Sequence, residues 1–244
     1  MHSSIRVSRR VRLRAPVFIV GLPGMGFVAA LTARSLIRQL KAQRFAEVIS
    51  PHFPDLAGAS ATGAPRFPTT ALYFWRSGAS TRDLVVVDGN TQPVTVFGQY
   101  EVSGRLVAFA HDQGCSRLIC LGGLKREALT GLPQLYGTCT DHEALTEVRQ
   151  HGVTVLEGKI YGMAGVLLGL AALRGMRGFC VLVETLGTAP DATAAKSLLA
   201  FLRAYLGLPV DEAALDAVAH DAEKALKPLG WAAPVRREEI YRRF

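Results

Sequence analysis

The chain has 244 residues, 49% of them hydrophobic and 20% charged, with a formal net charge of +8. That balance excludes a disordered chain, and the length excludes a miniature scaffold that needs disulfides or metal to fold. It suits a single α/β domain over residues 1–227 followed by a tail of residues 228–244.

Ile5, Val7, Val11 and Leu13 alternate with Arg6, Ser8, Arg10, Arg12 and Arg14. Period two predicts a half-exposed strand with one basic face, interrupted at Pro16. Residues 17–20 are an unbroken apolar run closed by Gly21, the pattern of a buried parallel strand. A helix is predicted over 26–41, a strand over 44–50, and a loop over the proline-rich residues 51–68. Strands follow at 70–76 and 83–88, a helix at 98–113, and a strand at 117–121 that ends in Gly122 and Gly123. Next come a strand at 135–140, a helix N-capped by Asp141, a short strand at 153–156 and a helix at 163–174. A strand at 178–184, a helix opened by Pro190 and a last amphipathic helix at 211–226 complete the series. Strands alternating with helices predict a mainly parallel sheet with helices on both faces.

The Arg cluster at the start is matched by Arg236, Arg237, Arg242 and Arg243 near the end. Such clusters suit an acidic partner, a membrane surface or nucleic acid, beside the plainer reading of solvated surface. Without clustered aromatic residues for base stacking, nucleic acid ranks last. No run of about 18 apolar residues predicts a membrane span, and no apolar core of a secretory signal follows the first arginines. Cys115, Cys120, Cys139 and Cys180 form no CxxC pair, and the six histidines are scattered. No metal or cofactor is expected, and the cysteine usage fits the cytoplasm.

In such sheets, sites form at the carboxyl ends of strands. The segment from Gly21 through Gly24 to Gly26 is a glycine turn that could face an anion. Phe27 and Val28 stand where a phosphate-binding loop would need Lys and Ser or Thr. A turn packing helix on strand is the preferred reading. Asp88 and Glu184, each ending an apolar strand, join Gly122 and Gly123 as further candidates at this edge. They could serve acid–base work or accept backbone N–H groups.

Read in order, these segments resemble the family of the second proteasome assembly chaperone. The shared motifs begin with Gly21, Pro23, Gly24, Gly26 and Val28, then Ser50, Pro51, Phe53 and Pro54. Gln92, then Gly98, Gln99, Tyr100 and Glu101, follow, and after them Leu121, Gly122 and Gly123. Ile160, Gly162, Gly165, Leu167, Leu168 and Gly169 precede the closing Glu184, Thr185, Gly187, Pro190 and Asp191. The resemblance implies a three-layer fold similar to nucleoside phosphorylases and a role as a self-associating chaperone that binds proteasome α-subunits. It also implies a partner-binding tail with a hydrophobic-Tyr-any motif. Ile240, Tyr241 and Arg242 match that motif, with Arg243 and Phe244 after them. Ile240, Tyr241 and Phe244 are therefore the tail candidates. The competing reading is an enzyme of nucleoside phosphorylase-like or ATP-dependent ligase-like type, using the crevice at the Gly21–Gly26 turn with Asp88, Asn90 and Glu184.

Overall fold

A computed structural model describes residues 2–59, 62–78 and 82–226. Strands β1 (Ser4–Val7) and β2 (Val17–Gly21) are followed by a 3-10 turn (Met25–Phe27) and helix α1 (Val28–Gln39). Then come β3 (Gln43–Ile49), β4 (Gly58–Ala59), β5 (Pro65–Arg66), β6 (Thr70–Trp75), β7 (Leu84–Gly89) and α2 (Val96–Asp112). The second half holds β8 (Arg117–Lys125), β9 (Leu135–Cys139), α3 (His142–Arg149), β10 (Val153–Val155) and α4 (Met163–Leu173). It closes with β11 (Gly178–Thr185), α5 (Ala192–Leu206) and α6 (Leu215–Leu226).

One nine-stranded sheet runs in the order β1-β3-β6-β7-β2-β8-β11-β9-β10. Its centre, β7-β2-β8-β11, is parallel, as the unbroken apolar runs require. The flanks differ from the mainly parallel expectation. β1, β3, β6 and β7 pair antiparallel along one side, and β9 pairs antiparallel with β11 on the other. An apolar run records burial on both faces but not strand direction, so this half of the topology carries no one-dimensional signal.

Side chains of the central strands alternate between two cores. Val17, Ile19, Leu84, Val86, Ile119, Val181 and Val183 face α1, α5 and α6. Phe18, Val20, Val85, Val87, Cys120, Cys180 and Leu182 face α2 and α4. Phe18, Ile19 and Ile119 are wholly buried, each contributing about 1.5–3 kcal/mol relative to exposure. The result is a helix–sheet–helix sandwich, with Cys120 and Cys180 serving as small apolar fillers. Among the described residues no helix is long and apolar enough to cross a membrane.

The basic first strand is shorter than its alternation implies. At Ser8 and Arg9 both N–H groups turn onto the Phe45 carbonyl, and the ladder stops. Val11 and Leu13 still pack on the α2/α4 core from an irregular segment. The N-terminus is pinned by Glu101 on α2, which accepts from the Ser3 N–H at 2.8 Å and contacts His52 Nε2 at 2.6 Å.

Candidate functional site

The glycine turn is a packing device. A methyl built on Gly21 would lie 2.4 Å from the Ala29 carbonyl oxygen and 2.5 Å from Ala33 Cβ, so α1 sits directly on β2. Gly26, at φ +59°, and Phe27, at φ +53°, both adopt the left-handed region that reverses the chain into α1. A methyl on Gly26 would meet Thr185 Oγ1 at 2.5 Å. That hydroxyl donates to Asp191 Oδ2 at 2.7 Å and accepts the Gly187 N–H. Asp191 also N-caps α5 by accepting from Ala194, and its own N–H donates to the Gly26 carbonyl. The Gln92 amide closes the other side by donating to the Pro23 carbonyl.

Gly122 and Gly123 lie within β8, which continues to Lys125, rather than ending it. They admit neighbours. A methyl on Gly123 would lie 2.5 Å from the Met25 carbonyl oxygen, and one on Gly122 would lie 2.5 Å from Leu182 Cδ2. Gly26, Gly123 and Thr185 therefore meet around Met25, whereas Gly24 is exposed and a methyl there would meet only Gln92 Nε2, at 3.9 Å.

Asp88 and Glu184 do not meet. Their strands are separated by β2 and β8. Asp88 shares the parity of Leu84 and Val86, on the α1 face, whereas Glu184 shares that of Cys180 and Leu182, on the α2/α4 face. Each carboxylate has an arginine that sequence reasoning missed. Arg126 Nε donates to Glu184 Oε1 at 2.8 Å, the Gln134 N–H donates to Oε2, and the Arg126 guanidinium lies over the Tyr136 ring. Although burial opposes it, the sum of these donors holds the Glu184 carboxyl below its ordinary range. Arg34 Nε donates to Asp88 Oδ2 at 3.2 Å, while Asp88 Oδ1 is buried with no partner. Burial pushes this carboxyl up to about 6 against the pull of Arg34. Asn90 is occupied in holding a loop, its Oδ1 accepting the Thr69 N–H at 2.8 Å. Among the described residues, Asp88 and Glu184 therefore share no reacting position.

The surface over α2 and α4 does present large exposed apolar side chains. On α2, Val96, Phe97 and Tyr100 are exposed, with Phe97 at 71%. On α4, Met163, Leu167, Leu168 and Ala171 are buried, but Leu173 is 84% exposed, as is Tyr161 just before the helix at 77%. Gly169 faces open space, whereas Gly165 is pressed against the Ile160 carbonyl. The signal for this layer was the lack of a polar face: α4 is apolar all round, and a lone domain buries only one side. Ile240, Tyr241 and Phe244 lie outside the described residues.

Fold and surface together define a three-layer α/β protein with a glycine turn packed between strand and helix and exposed apolar side chains on its outer helices. The PAC2 family model matches residues 18–229, and the chain belongs to this family, that of the proteasome assembly chaperone its motifs resemble. It is 30% identical over 199 residues to protein MJ1210 of Methanocaldococcus jannaschii, covering 79% of this chain and 76% of that one. Among solved structures it is similar to PbaB of Pyrococcus furiosus, described as an archaeal proteasome activator. The identity is 34%, the TM-score 0.84, and the match covers 94% of this chain and 99% of PbaB. PbaA of the same organism, described as an archaeal homolog of proteasome-assembly chaperone, shares the fold. Its identity is 24% and its TM-score 0.76, over 93% of this chain and 96% of PbaA.

Proposed function

We propose that this chain works in the cytoplasm by protein–protein contact, self-associating through the outer face of α2 and α4 and binding proteasome α-subunits. The observation that carries the reading is the exposure of Val96, Phe97 and Tyr100 at the start of α2 and of Leu173 at the end of α4. Apolar surface left uncovered on one side of a fully formed core marks a contact site. The glycine turn supports the same reading, because Gly21 and Gly26 are spent on packing α1, β2 and Thr185 together. Family membership and the likeness to PbaB indicate the proteasome as the partner. Ile240, Tyr241 and Phe244 are proposed as a further contact, with α-subunits as its receptor.

The test is capture of separated proteasome α-subunits by the full chain, followed by native mass measurement. A complex of defined stoichiometry is the expected outcome. Recovery of this protein alone, as one closed oligomer, would overturn α-subunit binding while leaving self-association standing.

A further inference from the structure

An open groove of about 280 Å³ crosses the amino end of the sheet. Leu40 and Lys41 after α1 line it, with Gln43 of β3, Phe74 and Trp75 at the end of β6, and the arginines Arg9 and Arg76. Trp75 pairs with Leu84, and Leu84 with Val17, the first residue of β2, so the groove lies at the opposite end from the glycine turn.

Both arginines are held in place before any partner arrives. Each guanidinium lies 5.6 Å from the centre of the Phe74 ring. Arg9 Nη1 donates to Gln43 Oε1 at 2.8 Å, and Arg76 Nη2 donates to the Arg12 carbonyl at 3.4 Å. These contacts are all neutral, and most of the five N–H donors of each guanidinium are left over. Among the described residues, Arg9, Arg10, Arg12, Lys41 and Arg76 form no ion pair. The neighbouring carboxylates are committed elsewhere. Asp83 is buried and accepts the Arg14 and Ser77 N–H groups, and Glu47 pairs with Arg6 and Arg44. Two like charges fixed about one ring repel each other, and a bound anion offsets that repulsion. Side chains already ordered lose less entropy on binding.

The form of the anion follows from the rest of the lining. Phe74 is buried and Trp75 half-buried, so neither offers a full ring face to a nucleic-acid base. None of the large exposed apolar side chains among the described residues lines the groove, which leaves nothing there to enter a bilayer. A compact phosphate would sit beside the negative, C-terminal end of α1. Carboxylates spaced along a chain can instead reach Arg9, Lys41 and Arg76 separately, and a guanidinium fork suits a carboxylate. We propose that this groove docks an acidic segment of a partner protein, with successive Asp or Glu side chains on Arg9, Lys41 and Arg76. The inference rests neither on the α2/α4 contact nor on α-subunit binding.

The experiment is fluorescence anisotropy of labelled hexaglutamate titrated with the full chain at low salt, beside labelled hexaglutamine, labelled hexathymidylate and phosphatidylserine vesicles. Hexaglutamate is expected to bind more tightly than the other three. Arg9→Glu with Arg76→Glu is expected to weaken it about tenfold or more, at least the loss of one charge-assisted hydrogen bond. Arg149→Glu with Lys159→Glu, an equal change of charge at exposed positions flanking β10 on the far edge of the sheet, is expected to leave binding within about twofold. No anisotropy change up to about 0.5 mM chain overturns the proposal. Equal weakening by the two double variants overturns it too, since net charge alone would then explain binding. Hexaglutamine binding as tightly as hexaglutamate overturns it without any variant having to fold. Tighter binding of hexathymidylate or of the vesicles overturns the acidic segment as the occupant.

Discussion

Among the described carboxylates, Asp88 is the one whose titration burial pushes up. The apolar run of β7 delivers it to the margin of the α1 core, where burial outweighs the neighbouring Arg34 and pushes its carboxyl up to about 6. Unfolding returns it to its ordinary value of 3.8. Between those two pH values the folded state binds more protons than the unfolded chain, so folding stability from this group falls as pH rises. The penalty is absent below the lower value and complete above the upper one, at about 3 kcal/mol. Asp88→Asn removes it, at the expense of the contact with Arg34. The wild-type chain should therefore lose stability relative to the variant as pH rises through that window. Urea midpoints measured for both proteins from acid to neutral pH read this difference directly. Parallel curves would mean that Asp88 is solvated and ordinary.

Elements show which parts of the fold were legible. Asp141 was readable as an N-cap, and it accepts the Ala144 N–H at 2.8 Å. The start of α5 was readable only approximately, since the expected opening at Pro190 falls just before Asp191, which is the N-cap. What was hidden depends on register. That Asp88 and Glu184 point to opposite faces follows from strand parity and order, neither of which a lone apolar run fixes. The continuation of β8 through Gly122 and Gly123 was hidden because two glycines read as punctuation. Here they leave room for Met25 and Leu182. The role of Asp191 likewise exceeds its local signal, since it caps α5 and also holds Thr185 and the Gly26 carbonyl. Asp191→Ala should destabilise the chain by about 1–2 kcal/mol, the upper range for loss of a cap. It should also speed amide hydrogen exchange around the glycine turn. Asp141→Ala in α3 is the control, expected to lower stability without altering exchange at the turn. Equal exchange in the two variants would show that the turn stands without Asp191.

At the scale of the molecule, the helix layers flanking the sheet are unequal. α1 packs against both α5 and α6 on one face, and α2 and α4 pack on each other on the other. The first layer closes over its core, with Arg38–Asp221 and Lys196–Asp216 ion pairs on its outside. The second leaves Phe97, Tyr100 and Leu173 outward. Aromatic side chains of this kind are enriched in interface cores, where the few that act as hot spots cost roughly 2 kcal/mol or more when truncated. Phe97→Asp with Leu173→Asp should therefore convert an oligomer to monomer in native mass measurement. Thermal unfolding of the separated subunit should change little, because surface positions outside the core seldom shift stability by more than about 0.5 kcal/mol. Retention of the wild-type mass would remove this layer from the self-association surface. If the wild-type chain is itself monomeric, the same two substitutions distinguish the remaining uses of the layer. Loss of α-subunit capture would make it the partner's docking face, and unchanged capture would leave docking to the C-terminal tail.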